Sequence, residues 1–91
     1  MRLALFAACF AVPAYAQQCA DLEVVEDMLR GQYGETVQSH GFDSRGTVMT
    51  VWANTVTGTW TVTASNAAGL TCVIGAGEMF QAVNEPQGVD G

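Results

Sequence analysis

The chain contains no lysine, and only three arginines stand against nine aspartate and glutamate residues. An acidic surface repels the phosphate backbone of nucleic acids and the anionic surface of membranes, so neither is expected as a partner. The acidic balance favours solubility, or a basic protein as partner. The sequence also lacks an apolar run of the length that crosses a bilayer as a helix.

The longest apolar run is at the N-terminus and is typical of a secretory signal peptide. It extends over Leu3–Val12, after the positively charged Arg2, and is followed by small residues at 14–16 (Ala-Tyr-Ala). Small residues in this spacing form the cleavage site of a signal peptide. We therefore predict that residues 1–16 are removed and that the protein is periplasmic or secreted. A buried N-terminal helix is the alternative.

Cysteine is scarce in the remaining chain. Cleavage after residue 16 leaves 91 − 16 = 75 residues, and Cys9 is lost with the leader. Cys19 and Cys72 are then an even pair in an exported chain, so we predict that they form a disulfide. Such a bridge contributes roughly 4 kcal/mol through loop-closure entropy, a large share of the stability of a domain this small. Lipidation of Cys19 and a free, reactive Cys72 are the alternatives.

The spacing of the apolar residues predicts one helix followed by a sheet. Residues 20–31 have the helical period, with four apolar residues on one face: Leu22, Val25, Met28 and Leu29. The pattern then changes to that of strands, which we predict at Glu35–Phe42, Thr47–Ala53, Thr59–Ala64 and Leu70–Ile74. The connections are short and rich in Gly and Asx residues, which favours hairpins. We predict one α+β domain over residues 17–83, a helix packed on a four-stranded antiparallel meander, and a flexible tail over residues 84–91.

The last strand predicts which face of the sheet the helix covers. Leu70, Cys72 and Ile74 alternate along this strand and therefore point to the same side. We expect the helix on this face, so that the Cys19–Cys72 bridge joins the start of the helix to the last strand.

The register of the third strand decides which tryptophan is buried. A turn with Gly58 in the left-handed conformation places Trp60 inside, while the alternating threonines beside it take the other face, which we interpret as solvated. In this register Trp52 points outward, with Val48 and Val73 near it. These three residues are predicted to form an exposed apolar strip that serves as the binding site. A slip by one residue would instead send Trp52 into the core.

Residues that carry chemistry are few and scattered. The one histidine, His40, follows Ser39 in a strand, so the two side chains point to opposite faces and do not form a nucleophile and base pair. Two distant cysteines and one histidine lack the spacing of a zinc site, and no calcium-binding loop is present. We predict no catalytic residue, no metal and no cofactor. A small hydrolase or thiol-dependent enzyme that uses His40 or a free cysteine is the alternative.

The order of several short motifs resembles that of a group of small exported proteins. QQCA and LRGQYGE are followed by VWANTVTGTWTVTASNAAGLTCV and by a terminal GAGE. In this the chain is similar to small exported proteobacterial proteins with a GTWT…GxTC pattern, which implies a location and a fold but no activity. The helix-then-sheet order is similar to that of PepSY-type periplasmic domains, which are associated with inhibition or regulation of partner enzymes, although the cysteine pair departs from them.

These features together predict a small exported, noncatalytic domain that binds or regulates another protein. The expected partner is an exported enzyme, a cell-envelope protein, or a second copy that pairs through an open sheet edge. A structural component of the cell envelope is a further alternative.

Overall fold

The computed structural model of the protein describes residues 18–85. Within them, helix α1 (Leu22–Gln32) lies between the first and second of five strands: β1 (Cys19–Asp21), β2 (Thr36–Phe42), β3 (Val48–Ala53), β4 (Trp60–Ser65) and β5 (Leu70–Gly77). The strands form one antiparallel sheet in the order β1-β5-β4-β3-β2. The predicted helix and antiparallel sheet are confirmed. The predicted number of four strands is wrong, because the three residues before the helix pair with β5.

The predicted termini lie mostly outside the described residues. This applies to the signal peptide over residues 1–16 and to residues 86–91 of the predicted tail. Asn84 and Glu85 are described, and they are exposed and without regular secondary structure. Within residues 18–85, no helix has both the length and the hydropathy that a membrane crossing requires.

Helix α1 buries one narrow apolar stripe. Val25 and Leu29 are four residues apart and are buried, and Met28 is half-buried beside them. The helix is followed by Gly34, whose φ of 64° lies in the left-handed region that glycine adopts without strain. This turn lets the Glu35 N–H donate a hydrogen bond of 2.9 Å to the Leu29 carbonyl. The chain therefore reverses directly beneath the end of the helix.

Each of the three hairpins is closed by a side chain that accepts backbone N–H groups. In the first hairpin the Asp43 carboxylate accepts hydrogen bonds from the N–H groups of Arg45 and Thr47. In the second and third hairpins the side-chain oxygens of Asn54 and Asn66 each accept two backbone N–H groups in the same way. The hydrogen bonds from the Thr47 and Arg45 N–H groups hold the pKa of Asp43 below its ordinary value, because they stabilise the ionised carboxylate. Short polar side chains thus fix the turns, as the sequence predicts.

The Cys19–Cys72 disulfide joins β1 to β5. The two residues are direct cross-strand partners, and they lie 53 residues apart in the sequence. The predicted pairing is confirmed. Its place in the fold differs from the expectation, because the bridge joins two neighbouring strands and the helix begins only after β1.

The helix packs on the opposite face of the sheet from the one expected. Cross-strand partners share a face, and so do alternate residues of one strand. Trp52 pairs with Thr61 of β4, and Thr63, two residues further along β4, pairs with Val73 of β5. These four residues therefore lie on the same face. Trp52 belongs to one buried cluster with Val25 and Leu29 of the helix. We call this side the covered face; its residues are Val48, Thr50, Trp52, Thr61, Thr63, Ser65, Thr71 and Val73. The other side is the open face, and its residues are Met49, Val51, Ala53, Trp60, Val62, Ala64, Leu70, Cys72 and Ile74.

Three hydroxyl groups of the covered face have hydrogen-bond partners within it, which lowers the cost of burying them. The Trp52 indole N–H donates to Thr63 Oγ1 at 3.2 Å, and the Ser65 and Thr71 hydroxyls share a hydrogen bond of 2.7 Å. A buried hydroxyl that has a partner costs far less free energy than an unpartnered one. The alternating threonines therefore mark the buried face, and their interpretation as the solvated face is wrong.

Candidate functional site

The predicted binding strip is not exposed. Trp52 is only 2% exposed and Val73 only 6%, while Val48 is half-buried. The expectation of an exposed strip formed by these three residues is wrong, because the helix packs on the face that carries them. Trp52 and Val73 hold the fold together, and a binding surface has to be sought elsewhere.

Both arginines of the described residues are already engaged. The Arg30 guanidinium carbon lies 5.1 Å from the centroid of the Trp52 ring, within the range of a cation–π interaction. Arg45 forms an exposed ion pair with Asp43 at 3.7 Å. Within residues 18–85, the positive charge is thus limited to two arginines, each beside an aromatic ring or a carboxylate.

The structure does not bring the few chemistry-bearing residues together. His40 is exposed on β2 and is the partner of Thr50, whereas Ser39 is the partner of Val51 and lies on the other side of the strand. The disulfide occupies both Cys19 and Cys72, so neither is a free thiol in this structure. Within the described part of the chain, no group of three His, Cys, Asp or Glu side chains could hold a metal ion.

Strand β2 is an exposed edge of the sheet. It pairs with β3 on one side, and none of the other described strands pairs with it on the other. All seven of its residues are exposed, and its sequence TVQSHGF contains no Lys, Arg, Asp, Glu or Pro. The pairing with β3 shifts register between Val37 and Ser39 and is regular from Ser39 to Phe42. The strand therefore offers a short, regular row of backbone groups to a further strand.

The open face is a second exposed surface, and it is apolar. No helix or strand among residues 18–85 lies over it. Met49, Leu70 and Ile74 are 36%, 45% and 46% exposed, and Val51, Val62 and Ala64 between them are half-buried. On this side β2 contributes Thr36, Ser39 and Gly41, so the aliphatic surface ends at β3.

A pocket of about 380 Å³ lies between the end of the helix and the adjacent end of the sheet. Helix residues Met28 and Leu29 line it on one side, and Thr61, Val73 and Ala76 line it on the sheet side. Further lining residues lie at the ends of the strands or in the segments next to them: Gln18, Tyr33, Glu35, Thr59, Trp60, Gly77 and Glu78. We call this cavity the Glu35 pocket. Its volume is at the lower end of the range of small-molecule sites.

Two residues that line the Glu35 pocket each carry a buried oxygen without a hydrogen-bond partner. Glu35 is 1% exposed, and its Oε1 has no partner among residues 18–85. The same is true of Thr59 Oγ1. Sequence reasoning placed Glu35 at the start of the predicted strand Glu35–Phe42 and did not identify it as a site residue. The signal that could have found it is Gly34 before it, since a left-handed glycine at the helix end turns the next residue inward.

Comparison with known proteins found no matching family model, curated protein or solved structure. The resemblance to small exported proteobacterial proteins and to PepSY-type domains therefore stays a prediction.

Proposed function

We propose that this protein is a noncatalytic binding domain that takes up an extended segment of a partner protein along β2. The observation that carries the proposal is the exposed, uncharged edge of seven residues. A partner segment added here as a strand would satisfy the N–H and C=O groups that β2 directs away from β3. Main-chain hydrogen bonds supply affinity in this mode, and side chains beside the edge supply specificity.

The two edges of the sheet differ in a way that supports β2 as the site. Natural edge strands are protected by charged residues, by proline, by short length or by a bulge. The opposite edge, β1, is only three residues long and leads directly into the helix. Strand β2 has only one of these protective features, the irregularity between Val37 and Ser39. Residues 39–42 therefore remain available for pairing with a further strand.

Side chains along β2 also favour an apolar partner segment. Val37, His40 and Phe42 pair with residues on the side of the covered face. They lie at the edge, beyond the buried cluster, and Phe42 is 72% exposed. A partner strand beside β2 would place alternate side chains against Val37 and Phe42, which removes apolar surface from water.

An extracytoplasmic location is part of this proposal. The predicted signal peptide motivates it, and an intramolecular disulfide is compatible with an oxidising compartment. The exported partner would be an enzyme or a cell-envelope protein.

Site-specific photo-crosslinking in the native compartment tests the proposal. A photoreactive amino acid replaces Ser39 on β2 in one variant, and Ala67 in the exposed turn between β4 and β5 in the control. We expect an adduct with one defined protein from position 39 only. Mapping of the adduct should place the contact in an extended segment of that protein, because a strand is what the edge accepts.

A charge at the edge provides the matched second test. His40→Lys adds a positive charge to β2, and Ala67→Lys adds the same charge to the control turn. We expect the adduct from position 39 to be lost with His40→Lys and kept with Ala67→Lys. Equal adduct yields from positions 39 and 67 would contradict strand addition. So would an adduct yield from position 39 that His40→Lys leaves unchanged. An adduct between two copies of this chain would identify the partner as the protein itself.

A further inference from the structure

We propose that the Glu35 pocket binds a protonated primary alkylamine. This site is separate from the β2 edge, and nothing in the proposal depends on strand addition. It combines a cavity of about 380 Å³ with buried acceptor atoms and an apolar lining. Each of these features selects one part of the ligand.

The unpartnered oxygens select the head group. Buried polar atoms in folded proteins nearly always have a hydrogen-bond partner, so each exception needs an explanation. Glu35 Oε1 and Thr59 Oγ1 are two such exceptions, on residues that line the same pocket. A carboxylate oxygen only accepts hydrogen bonds, and an ammonium group carries three N–H donors, so it offers a donor to more than one acceptor. A single hydroxyl group offers only one donor.

The charge around the pocket selects a cation. Among the lining residues that the structure describes, Glu35 and Glu78 are acidic and none is Lys, Arg or His. A carboxylate buried to this degree stabilises a cation strongly, because little water screens the pair. An anionic ligand would meet two carboxylates without a compensating charge.

The apolar lining selects an alkyl chain attached to the amine. Met28, Leu29 and Val73 line the pocket between the helix and the sheet. Leu29 and Val73 are almost fully buried. Methylene groups that enter this space leave water and contact these side chains.

The pocket is also held in a fixed shape. The Asn54 side-chain amide donates to the Tyr33 carbonyl at 3.0 Å, which ties the end of the helix to the β3–β4 turn. The Trp60 indole N–H donates to the Glu78 carbonyl at 3.0 Å. A Cβ at Gly77 would lie 2.8 Å from the Trp60 ring, so only glycine allows this close approach. A site fixed in this way loses less free energy when it orders a ligand.

Titration of the oxidised, 15N-labelled protein with 1-butylammonium tests the site, with 1-butanol as the uncharged probe of similar shape. We expect saturable changes in the amide signals of Glu35, Thr59 and Ala76. The affinity for 1-butylammonium should exceed that for 1-butanol at least about ten-fold, since one good ionic hydrogen bond is worth a factor of this size.

Matched variants separate the pocket from general attraction to an acidic protein. Glu35→Gln keeps the shape of the side chain and should weaken binding about ten-fold or more. Asp27→Asn removes the same charge from the exposed helix face and should leave the affinity unchanged. Thr59→Val removes the other acceptor and should weaken binding several-fold; it keeps the test decisive if Glu35→Gln does not fold.

The proposal is overturned if 1-butanol binds as tightly as 1-butylammonium. It is also overturned if the Glu35→Gln and Thr59→Val variants bind without loss, or if the signal changes grow without saturation over the whole acidic surface. A further arm identifies the source of the amine, with Nα-acetyl-lysine methylamide as the probe. Tighter binding of this probe than of 1-butylammonium assigns the site to a lysine side chain of a protein, and weaker binding assigns it to a free small amine.

Discussion

The covered face of the sheet carries five buried hydroxyl-bearing residues and Trp52, whereas the open face carries mostly aliphatic side chains, the half-buried Trp60 and the disulfide. The more polar face is inside. On the covered face, packing of Trp52 against the helix and hydrogen bonds between hydroxyl groups hold the structure. On the open face, a covalent bond joins β1 and β5.

This difference teaches that side-chain polarity alone does not decide which face of a sheet is buried. Threonine has a methyl group that packs well in a strand, and its hydroxyl costs little to bury once it has a partner. Each face also carries one tryptophan: Trp52 is 2% exposed beneath the helix, whereas Trp60 on the open face is half-buried. The four predictions below test this division of roles.

The largest effect is expected at Trp52. Trp52→Ala should lower the free energy of unfolding by about 5 kcal/mol, because it empties the centre of the covered face and leaves the Thr63 hydroxyl without its partner. A loss of this size leaves the domain largely unfolded at 25 °C. Urea denaturation followed by circular dichroism measures it. The open-face control Val62→Ala should cost about 1 kcal/mol, and equal costs would contradict the comparison.

The disulfide comes next. Replacing both cysteines, Cys19→Ala with Cys72→Ala, should lower the free energy of unfolding by about 4 kcal/mol, because the bridge restricts the unfolded chain over 53 residues. Thermal and urea unfolding of this variant and of the oxidised protein measure the difference. A loss below about 1 kcal/mol would show that β1 is held by its hydrogen bonds to β5 and by the helix instead.

A smaller effect is expected from the paired hydroxyls. Thr71→Val should cost about 2 kcal/mol, because it leaves the buried Ser65 hydroxyl without its 2.7 Å partner. The double variant Ser65→Ala with Thr71→Val should regain part of this loss, since both polar groups are then absent. The exposed control Thr57→Val should have almost no effect. Losses that simply add in the double variant would show that the two hydroxyls do not stabilise each other.

The smallest effect is expected on the open face. Ile74→Thr should change the free energy of unfolding of the isolated protein by no more than about 0.5 kcal/mol, because the side chain already stands half in water. Equilibrium urea unfolding at several protein concentrations measures it. A loss above about 2 kcal/mol that depends on protein concentration would show that the open face is covered by a second copy in solution.

Local structure could be predicted from the sequence because its causes are local. The helical spacing of Val25 and Leu29, and the Asx residues of the hairpins, act within a few residues of the chain. The disulfide could be predicted because the predicted removal of residues 1–16 leaves only two cysteines. Strand β1 could not be predicted, because three residues are too few for a periodic pattern. They form a strand only because they pair with the edge of β5 in the folded protein.

The candidate sites could be predicted only in part. The sequence predicts an open sheet edge as a possible surface for a partner but does not say which strand forms it. In the structure β2 is an exposed edge strand without Lys, Arg, Asp or Glu. The strip of Trp52, Val48 and Val73 was misplaced, because a strand pattern gives two faces and does not say which one the helix covers. Glu35 was missed, because its burial depends on where the end of the helix lies above the sheet.

The sequence by itself determined one helix, four of the strands with their turns, the cysteine pair and the acidic charge. Each follows from side chains that act on their chain neighbours, or from a simple count of residues. Only the tertiary structure decided the covered face, the fifth strand, the Glu35 pocket and the free edge at β2. These depend on contacts between segments that are distant in the sequence, and among these contacts the burial of Trp52 beneath the helix outweighed the aliphatic pattern of the other face.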